Sequence, residues 1–518
     1  MKKKLIGSLF IMMCFIAVLG ACSSNKPVEQ TPTNVEKNGA GEEQATTDPT
    51  ELSKEKISIK WLNLLHTATP PTNTLLDKIE EFTNVDLEFS WIPAASQVER
   101  LNTALASNSL ADLVTITILD NASVRNALKA GMFWEVSSYL DEFPNLKAIS
   151  DDFRTSASIE GKLYGIPFQQ PVARNGVIIR KDWLDKLDLP IPKTTDELFK
   201  VAEAFTKRDP DGNNVDDTTG FVDRSDLHYG AFKTLASYFG APSVWSVSEA
   251  GEVIPEFEHQ GYIDAMDYMK KLYESGYINK DFAVTTKNDQ QQSFAQGKSG
   301  IYVGMLLDGK NLSNLAEGLQ DDMELVLLND ITSTGNPADR AIWSTSNGVG
   351  GLIAFPKSEV KDEAELRRVL KFVDDLMSEE MFTLMSYGVE GVHFEMDENK
   401  TATITNTDLW MQEVQPLSST RPRQFGYGIY ESDVLRAEGE RLIAENTEFA
   451  VLNPMYSLES ATHSSQGSEL IKTVHDATYK YILGQITIED FHQAVAKWRK
   501  SGGDKIIAEY EAAYKAIK

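Results

Sequence analysis

The sequence predicts an α/β protein built from more than one domain, and three observations carry that expectation. From Ile57 onward, short alternating apolar stretches and amphipathic stretches follow one another with brief Gly- or Pro-containing breaks, the pattern of strands covered by helices. The 518 residues are enough for about two or three domains. Its two cysteines, Cys14 and Cys22, both lie near the N-terminus, so an apolar core and not disulfides must hold the body together.

Residues 1–22 open with Lys2, Lys3 and Lys4, run apolar from Leu5 to Leu19 and end in Leu19, Gly20, Ala21 and Cys22. A positive start, an apolar middle and small residues before a cleavage point predict a secretory signal peptide. The run is short for a membrane span, which takes roughly 20 apolar residues. Its ending resembles a bacterial lipobox, which makes Cys22 the expected lipidation site. Residues 23–55 hold almost no large apolar side chain and predict a flexible tether.

The elements then follow in order. Ile57, Ile59 and Trp61 alternate with Ser58 and Lys60, predicting a strand that ends at Trp61. Pro70 and Pro71 mark a loop, and Leu75, Leu76, Ile79 and Phe82 recur at helical spacing. Val85 to Phe89 predicts a second strand with Trp91 at its end, Gln97 to Ser107 a helix, and Leu113 to Ile118 a third strand. The middle of the chain is helix-rich: Asp182 to Leu187, Thr195 to Phe205 with Thr195 as the N-cap candidate, and Tyr262 to Ser275 ending near Gly276. Strands are expected at Gly300 to Val303, Leu325 to Leu328 and Gly351 to Phe355. Leu366, Val369, Leu370, Val373, Leu376 and Met377 define a long amphipathic helix. The last hundred residues read as mostly helical, and no internal repeat is visible.

The net charge of −27 argues against nucleic acid or an anionic lipid surface as partner, and membrane contact is expected only through the lipid. No nucleophile elbow, zinc-protease motif, phosphate loop or dinucleotide fingerprint is present, so no catalytic residue is assigned and an enzyme is not expected. A glycoside hydrolase or polysaccharide lyase remains the competing reading, since two carboxylates suffice for such chemistry and the chain has 77 acids. A third reading is an adhesion or sensor lipoprotein without an importer.

One loop gathers oxygen ligands. In KRDPDGNNVDD, Asp209, Asp211, Asn213 and Asp217 fall on loop positions 1, 3, 5 and 9, and Val215 at position 7 offers its carbonyl. Ca²⁺ takes about six to eight hard oxygen ligands, and alternate residues of a tight loop aim at one centre. Gly212 and Asn214 supply the turns. Asn214 replaces the EF-hand's position-6 Gly and Gly220 stands where it would place its bidentate Glu, so the match is partial. An exposed turn without metal fits the same residues. A Ca²⁺ ion here would be structural.

Aromatic residues at strand ends and in loops suit sugars, whose CH-rich faces stack while hydroxyls hydrogen-bond. Trp61, Trp91, Trp245 (in an expected loop) and Trp343 are candidates, although core packing explains each about as well; Trp183 is expected in the core.

Several stretches in fixed order resemble the extracellular solute-binding proteins of ABC importers, the bacterial lipoprotein group similar to LplA and the alginate-oligosaccharide binders. They are Gly161 to Phe168 (GKLYGIPF), Ile179 to Leu187 (IRKDWLDKL), Thr194 to Leu198 (TTDEL), Leu272 to Phe282 (LYESGYINKDF) and Tyr387 to Gly391 (YGVEG). Ala104 to Leu113 (ALASNSLADL) also matches, departing at Asn108 and Ala111. The resemblance covers nearly all of the chain after the tether. It implies a two-lobed periplasmic-binding-protein-like fold of type II, with hinged lobes and a central ligand cleft. The expected lobes are 56–170 plus about 340–410, and 171–339 plus about 411–518, the second carrying the Ca²⁺ loop. Alginate-type members hold Ca²⁺ in that loop, often with an acid where Thr218 stands. By the same analogy Gln169, Gln170, Trp343, Asn347, Glu390 and Phe394 would line the cleft. The expected protein is a monomeric, lipid-anchored receptor on the outer face of a Gram-positive-type cell membrane. It would deliver an oligosaccharide or other small solute to ABC permease subunits.

Overall fold

The computed structural model describes residues 56–67, 69–119, 121–418, 421–422 and 427–517, all within the compact unit Asp48–Lys518. The expected signal peptide, Cys22 and the tether lie outside these residues. Among the described residues no helix is long and apolar enough to cross a membrane.

The first lobe is organised by a five-stranded sheet in the order β2-β1-β3-β12-β4. Strand β1 (Ile57–Leu65) pairs in parallel with β2 (Val85–Pro93) along its whole length and with β3 (Leu113–Ile116) on its other side. Parallel neighbours need crossovers, which the helices Asn73–Thr83 and Gln97–Ser107 provide. The sheet is completed by two antiparallel strands far apart in sequence: β4 (Ile166–Gln169) and β12 (Val349–Ala354), which lies between β3 and β4. Trp61 does not end its strand. It sits at mid-strand, 1% exposed, stacked on Phe89 at 5.2 Å, with Nε1 donating to Thr115 Oγ1 at 2.8 Å. The alternation breaks after Trp61 because a central parallel strand is buried on both faces and reads as a continuous apolar run.

The second lobe holds a four-stranded sheet in the order β10-β5-β9-β6, formed by β5 (Asn175–Arg180), β6 (Thr219–Val222), β9 (Ser299–Met305) and β10 (Leu325–Leu328). Helices including Thr195–Lys207, Ala231–Tyr238, Gln260–Ser275 and Ala461–Ile482 pack into its core with Trp183, Phe205, Phe221, Met266 and Val474. The cap of Thr195–Lys207 is Thr194 and not Thr195: the Thr194 hydroxyl accepts from Glu197 N at 3.1 Å, and the Glu197 carboxylate accepts from Thr194 N. Trp245, expected in a loop, opens β7 (Trp245–Val247), which forms a hairpin with β8 (Val253–Pro255).

The chain passes from β4 to β5 through residues 170–174. It returns from β11 (Ile342–Trp343) to β12 through residues 344–348. These crossings are bonded side by side, Gln170 N to Gly348 O at 2.7 Å and Thr345 N to Val172 O at 2.7 Å. Three short strands, β13 (Phe394–Met396), β14 (Thr401–Ile404) and β15 (Tyr430–Glu431), form a separate small sheet. After β16 (Ala450–Val451), which pairs with β11, residues 452–460 run beside the crossings as a strap leaning on the first lobe.

Candidate functional site

A cavity of about 280 Å³ opens where the lobes meet. Its walls come from Leu119, Arg125 and residues 156–159 of the first lobe, His228, residues 243–245 and Tyr510 of the second, and Ser344, Ser346 and Asn453 between them. Its size is at the low end of the roughly 300–1,000 Å³ usual for ligand pockets.

Two features of the wall are built in by the local chain. Backbone strain gathers there: Val244 has φ 66°, and Ser346 and Asn347 both have φ 49°. A β-branched residue in the left-handed region is costly, and such conformations persist where surrounding structure holds them, often at binding sites. Val244 N is held by Glu256, whose carboxylate also meets buried Lys233. The second feature is polarity. Seven serines line the cavity, and among the described residues of its walls Arg125 is the one permanently charged side chain, with the imidazoles of His228 and His463 and the phenols of Tyr456 and Tyr510 beside it.

Arg125 is 7% exposed. Its guanidinium donates to Leu119 O at 2.8 Å and to the strap carbonyls Leu458 O at 3.2 Å and Tyr456 O at 3.4 Å. His228 is half-buried; burial, then the nearby Lys233 charge, push its imidazole down to about 4, so the ring is neutral at physiological pH and offers hydrogen bonds instead of charge. The His228 ring lies 4.7 Å from Trp343 and 4.5 Å from Tyr229.

The aromatic and polar residues expected at the cleft divide into four groups. Trp245 is in the wall, 5% exposed, its ring 5.3 Å from Tyr510. Trp343, 1% exposed, backs His228 from behind and donates Nε1 to Thr234 Oγ1 at 3.1 Å. Gln169, Gln170 and Asn347 lie at the crossings. The Asn347 amide is engaged there, Oδ1 accepting from Asn453 N at 2.9 Å and Ser344 Oγ at 2.9 Å, Nδ2 donating to Asn453 O at 2.9 Å, so it stitches the crossing to the strap. The remaining four are away from the cavity wall. Trp61 is core, and Trp91 is half-buried on Phe89 at 4.6 Å along the edge strand β2. Glu390 is exposed and forms an isolated bridge with Phe394, which is 2% exposed in β13. Sequence reasoning missed Arg125, His228 and Tyr510. Arg125 left a trace, an arginine between Val124 and Ala127 on the buried face of the helix Ala122–Lys129.

In the acidic loop, Gly212 and Asn214 take the expected left-handed turns at φ 76° and 61°. Among the described residues no three His, Cys, Asp or Glu side chains are drawn together closely enough to hold a metal. Instead the Asn213 amide nitrogen lies between two carboxylates, 2.7 Å from Asp211 Oδ2 and 3.2 Å from Asp217 Oδ1. Asp209 accepts from Gly212 N at 3.0 Å and Asn214 N at 3.1 Å. Burial and the adjacent Asp209 carboxylate push Asp211 up. Thr218 is turned inward, donating to Phe205 O at 2.7 Å, and Gly220 lies in β6, where a Cβ would come within 2.5 Å of Ala202.

Two α/β lobes joined by crossing strands around an interlobe cavity define a two-lobed binding protein. The sequence matches the model of the bacterial extracellular solute-binding protein family over residues 68–381. It is 44% identical over 480 residues to the polygalacturonan/rhamnogalacturonan-binding protein YtcQ of Bacillus subtilis (strain 168), covering 92% of this chain and 95% of that one. An extracellular solute-binding protein from Bifidobacterium longum subsp. infantis shares the fold with a TM-score of 0.71 at 18% identity, covering 89% of this chain and 98% of that one. So does an EF-hand mutant of the Streptococcus pneumoniae ABC-transporter substrate-binding protein FusA in complex with fructo-nystose, with a TM-score of 0.66 at 19% identity, covering 89% and 99%. The chain belongs to the bacterial extracellular solute-binding protein family.

Proposed function

We propose that this protein captures an oligosaccharide between its lobes and presents it to the permease subunits of an ABC importer. The observation that carries this reading is the interlobe cavity, with hydroxyl groups, Trp245 and Tyr510 in one wall. Aromatic faces stack sugar rings while serine hydroxyls and neutral His228 exchange hydrogen bonds with sugar hydroxyls. The names of YtcQ and FusA, both carbohydrate-binding, support the same solute class. The lobes correspond to residues 56–170 with about 340–410, and 171–339 with about 411–518, and they close on the solute about the crossings. Gln169, Gln170 and Trp343 frame the site from the crossings. Capture is non-covalent, and the protein works as a monomer. Calorimetric titration with a panel of plant and bacterial oligosaccharides checks this: one class should bind in a one-to-one ratio and be recovered uncleaved. Binding of none, or turnover of the bound glycan, would sink the receptor reading.

The protein is held at the outer face of the membrane by lipid on Cys22. Cys22→Ser should appear unlipidated in the medium or unprocessed in the membrane; normal lipid labelling of that variant would refute it.

The loop of Asp209, Asp211, Asn213, Val215 and Asp217 suits Ca²⁺ as a structural brace. Its donors are hard oxygens, and Asp211 and Asp217 already face a shared polar hydrogen-bond donor, the Asn213 amide. A rotated Asn213 amide would offer its oxygen in place of that nitrogen. The FusA EF-hand supports this reading.

A further inference from the structure

We propose that Glu256 is a positioning residue for the cavity: it holds Val244 in a strained turn and so sets the wall against which a sugar is bound. This rests on the carbohydrate reading above and names what shapes its site.

Three successive residues, Ser243, Val244 and Trp245, line the cavity. An extended strand does not allow this, because neighbouring side chains point to opposite faces. Here the chain folds back on itself. Trp245 N donates to Ser243 O at 2.8 Å, closing a three-residue γ-turn with Val244, φ 66°, at its centre. A γ-turn with positive φ at its centre is rare and strained, and a β-branched residue in the left-handed region adds to the cost. Glycine would take the turn freely. A valine there needs support from outside the turn.

Glu256 supplies that support. A γ-turn leaves the N–H and C=O of its central residue unpaired within the turn, and Glu256 meets both. Its carboxylate accepts from Val244 N at 3.0 Å, and its own N donates to Val244 O at 2.8 Å. The hairpin register brings it there, since Trp245 pairs with Pro255, the residue before Glu256. The carboxylate is fixed in turn by Lys233, 3% exposed in the helix Ala231–Tyr238. Such a buried pair is hard to break, because the remaining charge is left stranded. On one side of the turn the Ser243 hydroxyl lies 3.4 Å from the Ser344 hydroxyl of the crossing. On the other, the Trp245 ring meets Tyr510 of the wall edge to face at 5.3 Å. Strained backbone held by its surroundings gathers at binding sites. Without Glu256, Val244 would relax out of the left-handed region and carry Ser243 and Trp245 from these places.

Calorimetry on the full chain with kestose, maltotriose and trigalacturonate checks this, using whichever of the three binds. Glu256→Ala should weaken that sugar at least about 10-fold, and Glu256→Gln, which keeps an oxygen for Val244 N, by less. The deciding readout is a second change within the turn. With Val244→Gly present, the turn forms unaided, so adding Glu256→Ala should cost less than about 3-fold more. No loss from Glu256→Ala, or the same loss in both backgrounds, overturns the inference and leaves the carbohydrate reading standing. If Glu256→Ala strands Lys233 and does not fold, Lys233→Met/Glu256→Ala removes the stranded charge and takes its place in the cycle. If none of the three sugars binds, that counts against the carbohydrate reading, and the emission of Trp245 decides the role of Glu256. Taken as the difference from Trp245→Phe in each background, it should shift to the red in Glu256→Ala and return when Val244→Gly is added; unchanged emission overturns the inference.

Discussion

At the scale of single residues, burial decides what each side chain at the cleft can do. His228 takes up a proton near pH 6.5 when unfolded and only near 4 in the fold, so between those values the unfolded chain binds more protons. Its contribution is therefore complete above about pH 6.5 and is lost as pH falls towards 4. Lys233, Arg174 and His475 oppose its protonation and Asp226 favours it, so the net direction is set by burial and the surrounding cations. Buried Asp223, pushed up to about 7, acts with the opposite sign in the same window, which is why a difference between proteins is the useful measurement. His228→Gln should gain roughly 1–2 kcal/mol on the unaltered protein between pH 7.5 and 4.5, allowing for the partial exposure of the ring. Parallel denaturant titrations at the two pH values check it; a constant difference would show that His228 does not titrate as described. The tryptophans make the same point. Trp61, Trp245 and Trp343 were equally plausible as core or cleft residues, because nothing local distinguishes an aromatic packed under a strand from one in a cavity wall.

At the scale of elements, period and caps were legible, and exact ends were not. The helix Gln97–Ser107 runs as its pattern predicts. The third strand stops at Ile116 and not Ile118, where its pairing with β12 ends. Two adjacent threonines can both cap a helix on paper; Thr194 does so because Glu197, three residues on, completes the reciprocal pair. In the acidic loop, Thr218, where alginate-type members often carry an acid, and Gly220, at the EF-hand's Glu position, both have structural occupations. Thr218 ties β6 to the helix Thr195–Lys207, and Gly220 lets that helix approach the strand. If the loop binds Ca²⁺, millimolar calcium should raise the melting temperature and Asp211→Ala should abolish the rise. A calcium-independent melting temperature in the unaltered protein would reduce the loop to a turn. A ligand of about 100 times its Kd concentration stabilises by about 2.7 kcal/mol, enough for a shift of several degrees.

At the scale of the whole molecule, each lobe is built from chain segments that the other lobe interrupts. The first sheet cannot be completed until β12 arrives, after the second sheet has already formed part of the chain between. Crossing strands bonded side by side form a natural hinge. A bound oligosaccharide should therefore reduce the radius of gyration in small-angle scattering, and an unchanged value at saturation would show that the lobes do not move. By itself the sequence determined the α/β alternation, the helix faces, the turn chemistry of residues 209–217 and the ordered stretches that mark the family. These depend on neighbours within about a dozen residues, where periodicity and backbone preference act. Tertiary structure alone decided which residues meet at the cavity: Arg125 with Leu458, Asn347 with Asn453, His228 with Trp343. Such contacts join residues roughly a hundred or more positions apart. Close packing of two discontinuous lobes, which no local pattern encodes, brings them together.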